Sequence, residues 1–167
     1  MVGPDINGIL ECSAAGVLSI EPEEVREILE TGSYESTYKE LSGMNILVVE
    51  DNEINRGIVK IVLEKAGASV VLANDGRAGA DTFAASKVNA FDCVLMDLCM
   101  PVMSGFESAR TIRGMDRPDA GIVPIIALSS DSSERDVQNA KDSGMNEHLA
   151  KPVDIARLYR TLQDLKK

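Results

Sequence analysis

The chain has 167 residues, of which 44% are hydrophobic and 26% charged, with a net charge of −10; these are globular proportions, and the acidity argues against a dedicated nucleic-acid binder. No run reaches the roughly 20 apolar residues of a membrane span, and the first residues lack the basic flank of a secretory signal, with Asp5 near the start and Glu11 inside the apolar stretch. Three cysteines (Cys12, Cys93, Cys99) without a C-x-x-C pair, and one histidine, His148, argue against a zinc site and for the reduced thiols of a cytoplasmic protein.

Residues 1–43 carry nine acids and two bases. The composition changes near Ser42-Gly43, which predicts an acidic, helical N-terminal extension or linker over 1–43 and a domain over 44–167. Ile6, Ile9, Leu10, Val17 and Leu18 allow a short amphipathic helix. Pro22 opens a second helix with Val25, Ile28 and Leu29 on one face, Gly32 ends it, and 34–41 can be helical again. No chemistry is visible there. A packing or linker role is expected, with a dimer or partner surface as the alternative.

From Met44 onward apolar runs alternate with helical spacing. Residues 45–50 read as a strand, and Asn52 caps a helix carrying Ile54, Ile58, Ile61 and Val62 that stops at Gly67. Residues 69–73 form a second strand, 76–86 a helix, and 91–96 a third strand ending on Asp97. A loop over 101–105 leads to a helix over 106–115. Residues 123–128 form a fourth strand ending on Ser129, and 133–142 a polar helix whose only apolar points are Val137 and Ala140. A short fifth strand, 147–150, ends on Lys151-Pro152, and Asp154 caps a last helix with Ile155, Leu158, Tyr159, Leu162 and Leu165 on one stripe.

Five strands alternating with helices imply an α/β fold, a doubly wound parallel sheet with helices on both faces. Ligands bind such sheets beyond the carboxyl ends of the strands, where the strand order reverses. Glu50 and Asp51, Asp97, Ser129 and Lys151 all fall at those ends. Each acid alone reads as a solvated turn residue. Gathered on one edge, the acids suit a hard divalent cation, magnesium before calcium, because the spacing of a calcium loop is missing. Asp97, isolated after the buried run "DCVLM", is placed to act as a nucleophile toward phosphorus, with Lys151 and the metal neutralising phosphoryl oxygens and Ser129 donating to one of them. Glu50 and Asp51 would hold the metal.

Four stretches, "ILVVEDNEINR" (46–56), "VLMDLCMPVMSG" (94–105), "PIIALSSD" (124–131) and "GMNEHLAKPVD" (144–154), together resemble the response-regulator receiver domains of two-component phosphorelays, most of all the receivers of hybrid histidine kinases. The resemblance covers about 44–167. It implies a flavodoxin-like five-stranded sheet in the order 2-1-3-4-5. It implies that Asp97 is the phosphoacceptor, taking a phosphoryl group from a phosphohistidine of a histidine kinase or histidine phosphotransfer protein. Such a domain catalyses its own phosphorylation and dephosphorylation without being a conventional enzyme. Glu50, Asp51, Asp97 and the backbone carbonyl of Cys99 are the implied ligands of Mg2+, with Mn2+ as a substitute. Ser129 would swing toward the phosphoryl group, Lys151 would pair with it, and the Lys151-Pro152 bond would be cis. The switched surface would be the last two helices and the fifth strand, open to partners and to self-association, without nucleic acid.

Three positions depart from the family pattern. His148 stands where the aromatic switch residue is usual, which reads either as a half-buried ring or as a pH-dependent switch. Ser130 replaces a smaller residue beside Ser129, and Cys99 occupies a position that tunes phosphoryl lifetime. The methionines and Cys93 read as packing. Competing readings are a non-phosphorylated interaction module (pseudo-receiver), an aspartyl-nucleophile phosphatase of the haloacid-dehalogenase type and a flavodoxin-type cofactor binder. Cys99, where the phosphatase would carry a second aspartate, counts against the phosphatase. The acidic loops count against a flavin phosphate. The length leaves no room for a histidine kinase core or a DNA-binding effector, so a single-domain regulator or a piece of a hybrid kinase is expected.

Overall fold

The computed structural model describes residues 22–31 and 41–166. Within them the elements run α1 (Pro22–Thr31), β1 (Asn45–Val49), α2 (Glu53–Lys65), β2 (Ser69–Ala73), α3 (Gly76–Ala85), β3 (Cys93–Asp97), α4 (Gly105–Arg113), β4 (Ile125–Ser129), α5 (Glu134–Asp142), β5 (Glu147–Ala150) and α6 (Ile155–Leu165). The expected helix near Ile6–Leu18 and the stretch 34–40 lie outside the described residues.

The five strands form one sheet in the order β2-β1-β3-β4-β5, every pair parallel. The three inner strands, "NILVV", "CVLMD" and "IIALS", are apolar nearly throughout because both of their faces are covered. Alternate residues enter different layers. Ile46, Val48, Leu95, Ile126 and Leu128 face α2 and α6, whose Val62, Leu63, Leu158 and Leu162 join the same cluster. Leu47, Val49, Val94, Met96 and Ile125 face the other way, toward Phe83 of α3 and Ile112 of α4. The strand order reverses between β1 and β3, so the carboxyl ends of those two strands flank the switch point.

Each helix start from α2 onward has a side-chain cap. Asn52 accepts from the Asn55 N–H, Asp75 from Ala78, Ser133 from Asp136 and Asp154 from Arg157, while Ser104 and Glu107 form a reciprocal capping box. The polar α5 buries only Ala140. Helix α1 packs on the helices below the sheet: Val25 of α1 is buried in the α2–α6 cluster, and the Ile155 N–H donates to Glu24 Oε2 at 3.5 Å.

Arg117 closes the far end of α3. Its guanidinium donates to the carbonyls of Phe83 (2.5 Å), Ser86 (3.2 Å) and Lys87 (3.0 Å), lies 4.4 Å from the centre of the Phe83 ring and forks onto Asp119 at 2.6 and 2.9 Å. Those bonds, with one from the Asn89 N–H, hold the Asp119 carboxyl down at about 2. The folded value is below the unfolded one, so the contribution is complete above about pH 4 and is lost as pH falls toward the folded value. Arg117→Lys keeps the charge but loses the fork. It is expected to lower the thermal unfolding midpoint at neutral pH by several degrees, with the deficit shrinking toward pH 2 in thermal melts recorded across that range.

Candidate functional site

Three strand ends meet at the switch point. β1 delivers Glu50 and Asp51, β3 delivers Asp97, and β5 delivers Lys151. The Lys151 ammonium lies 2.8 Å from Glu50 Oε2 and 3.3 Å from Asp97 Oδ2. Glu50 is 1% exposed and Asp97 4%, so one cation is shared by two buried carboxylates. Asp51 is exposed, yet one oxygen each of Glu50, Asp51 and Asp97 lies within 4.8 Å of the others.

The backbone holds these groups in place. The Cys99 N–H donates to Asp97 Oδ1 at 3.2 Å and the Asn52 N–H to Glu50 Oε1 at 3.2 Å. Arg56, one turn into α2, donates to the carbonyls of Glu50 at 2.8 Å and Asp51 at 3.1 Å, tying down the acidic loop. Sequence reasoning missed that role; its only signal is the placement of an arginine one helical turn after Asn52. Gly105, expected to end the loop over 101–105, opens α4 with its Cα against the Asp97 backbone, and a Cβ there would collide with the Asp97 carbonyl oxygen.

The electrostatics oppose one another. Burial, then the charge of Glu50, pushes the Asp97 carboxyl up to about 6, against the pull of Lys151 and the Cys99 N–H. For Lys151, burial is the largest single effect and pulls its pKa down, but Glu50 and Asp97 together outweigh it and the ammonium is held above its usual value. Two carboxylates with one ammonium leave a buried deficit of positive charge. The nearby donors are carboxylate oxygens, a hard set that fits magnesium. The residues present therefore fit such an ion.

The other predicted residues lie around this core. Ser129 is buried, and its hydroxyl donates to the Asp131 carbonyl at 2.6 Å and accepts from the Asp131 N–H at 3.1 Å, so it is held within its own loop. The Lys151 N–H donates to the Ser129 carbonyl at 2.7 Å, joining the two loop starts. Cys99 is exposed, and its thiol is pushed up by partial burial and then by Asp97. His148 pairs with Ala127 across the sheet and lines a groove of about 330 Å3 with Val137, Lys141 and Arg157. Its Nε2 is buried and has no hydrogen-bond partner. The Lys151-Pro152 bond is cis. In the loop after β3, Val102 is 84% exposed at a φ of 68°. That left-handed conformation costs a side-chain-bearing residue roughly 1–2 kcal/mol, and a β-branched residue there is an outlier.

Residues 46–163 match the family described as response regulator receiver domain. Hybrid signal transduction histidine kinase I of Dictyostelium discoideum is 31% identical over 134 residues, which is 79% of this chain and 8% of that protein. The receiver domain of the sensor histidine kinase PA1611 from Pseudomonas aeruginosa PAO1, solved with a magnesium ion in its active-site cleft, is 35% identical with a TM-score of 0.68, covering 75% of this chain and 100% of that one. The receiver domain of the response regulator Ssk1 of Saccharomyces cerevisiae, crystallised with the histidine phosphotransfer protein Ypd1, is 32% identical with a TM-score of 0.66, covering 75% and 90%. No helix among the described residues is long and apolar enough to cross a membrane.

The raised Asp97 value gives a signed expectation for the metal-free protein. Its folded pKa exceeds the unfolded one, so its contribution is intact below about pH 4 and is lost as pH rises through about 6. Asp97→Asn removes the charge with little change of shape. With divalent ions chelated, the variant should be more stable than the parent by roughly 1–3 kcal/mol near neutral pH and equal to it near pH 4. Denaturant melts at the two pH values check this.

Proposed function

This chain belongs to the response regulator receiver domain family, and we propose that it is a phosphorylation-switched receiver in which Asp97 accepts a phosphoryl group. One observation supports this above the rest: a single ammonium, Lys151, bridges two buried carboxylates at the switch point. The chain spans 8% of the length of the Dictyostelium kinase it matches. We take residues 44–167 as the receiver unit and 1–43 as its extension. A cytoplasmic protein with a histidine phosphotransfer protein or histidine kinase as donor follows from this reading.

In the reaction, an ionised oxygen of Asp97 attacks the phosphorus of the donor's phosphohistidine. A P–O bond forms as the P–N bond breaks, and the bond's electron pair returns to the imidazole nitrogen. The ring leaves neutral, with any proton it needs drawn from water. Lys151 moves from balancing the Asp97 carboxylate to balancing a phosphoryl oxygen, while the Cys99 N–H keeps the acceptor carboxylate oriented. Ser129 gives up its bond to Asp131 to donate to another phosphoryl oxygen. Glu50, Asp51, Asp97 and the Cys99 carbonyl would hold a magnesium ion, which would supply the remaining positive charge; manganese shares the oxygen preference. Attack of water on the aspartyl phosphate reverses the switch, with release of inorganic phosphate.

The change at Ser129 can reach β5 through the Lys151–Ser129 backbone bond and alter the groove beside His148. The test is labelling by acetyl phosphate, read by intact mass. A gain of one phosphoryl group is expected with magnesium, none with a chelator and none in Asp97→Asn. Glu50→Gln should need on the order of tenfold more magnesium. If neither acetyl phosphate nor beryllofluoride is taken up, the chain is a pseudo-receiver acting as an interaction module.

A further inference from the structure

The rim around Asp97 is uneven. On one side it is polar or acidic: Asp51 and Glu53 before α2, and Ser130 and Asp131 after β4, are all exposed. On the other, the loop after β3 presents Cys99, Pro101 and Val102 to solvent. Val102 is the outermost, at 84% exposure, and is the most exposed of the large hydrophobic side chains among the described residues.

The loop carrying it is closed by hydrogen bonds at both base and tip. Its base is closed by the Gly105 N–H donating to the Leu98 carbonyl at 3.0 Å, and its tip by the Met103 N–H donating to the Pro101 carbonyl at 2.7 Å. Gly76 lies so close that a Cβ there would meet the Met103 carbonyl oxygen. Ser108 ties α4 to the start of α3 through the Gly76 carbonyl at 2.7 Å. A hydrogen-bonded turn thus points a valine into water, five residues from the reacting aspartate, in a conformation that asparagine or glycine adopts more easily. Single exposed hydrophobics are common. One that is also held in left-handed backbone contributes nothing to the fold that a more tolerant residue would not supply better.

We propose that Val102 is the docking anchor for the protein phosphodonor, inserting into an apolar patch beside the donor's phosphohistidine. This rests on the phosphoacceptor reading above. A donor that brings phosphorus to Asp97 must cover this rim, and an apolar side chain at the centre of a contact region is where binding energy concentrates. The acidic side of the rim calls for basic groups on the opposite flank of the same donor surface. A small donor such as acetyl phosphate needs neither.

The experiment compares wild type, Val102→Asn, Val102→Gly and Val102→Ile with two donors: acetyl phosphate, and Ypd1 phosphorylated on its histidine. Asn and Gly should raise the thermal unfolding midpoint, because they relieve the backbone. Labelling by acetyl phosphate should be unchanged in all four proteins. Transfer from Ypd1 should fall about tenfold in kcat/KM for Asn and Gly, mainly through KM, and hold for Ile. Unchanged transfer to Val102→Asn would overturn the proposal, and so would a wild type that takes the group from acetyl phosphate but not from Ypd1. A wild type that acetyl phosphate cannot label would overturn the phosphoacceptor reading instead, and the docking role with it.

Discussion

Two buried carboxylates sharing one ammonium set the terms for the rest of this molecule. At an effective dielectric near 20, unit charges about 4 Å apart interact by about 4 kcal/mol, so Glu50 and Asp97 side by side are costly unless Lys151 lies between them. Lys151 answers one charge, not two. Burial, and then the charge of Glu50, raises the Asp97 carboxyl. On the function proposed above, such a site would take up positive charge and then accept a phosphoryl group, whose arrival would redistribute the same few charges.

The scaffold exists to hold that arrangement. A parallel sheet brings the ends of β1, β3 and β5 to one edge although they are distant in sequence, Glu50 and Lys151 being 101 residues apart. Around the edge the backbone is fastened group by group: Arg56 on the acidic loop, the Cys99 N–H on the Asp97 carboxylate and Gly105 against the Asp97 peptide. These contacts leave the Asp97 carboxylate little freedom, as the proposed phosphoryl transfer, which works by positioning, would require.

Much of this was legible in the residues. The inner strands announce themselves as short apolar runs ending on Glu50, Asp97 and Ser129, and those endings locate the edge. The outer strands are legible too, at 69–73 and 147–150, but not their place at the edges. "SVVLA" of β2 is as apolar as an inner strand, yet Val71 is 43% exposed, because edge position follows from strand order and not from composition. Helix bounds drifted by one or two residues where caps and first turns share residue types, as at Ser104–Gly105. Within the site, the residue types named the carboxylates and the lysine. They could not name groups that act through the backbone, such as Arg56, nor the turn of the Ser129 hydroxyl toward Asp131, nor the left-handed backbone of Val102. Those depend on three-dimensional closure of loops. The docking of α1 through Val25 and Glu24 was equally hidden, since an amphipathic segment does not state which face it meets.

The opposite edge of the sheet has a different character. There Asn45 and Asp92 join the starts of β1 and β3, Asn146 accepts from the Ile125 N–H, and glycines at 43, 67 and 144 turn the chain in left-handed backbone. No candidate chemistry lies on that side among the described residues. Chain length there can change without disturbing a charge at the reacting edge. A fluorescent reporter or a fusion partner is therefore best inserted at that end, where the domain can be rewired while its chemical clock keeps time.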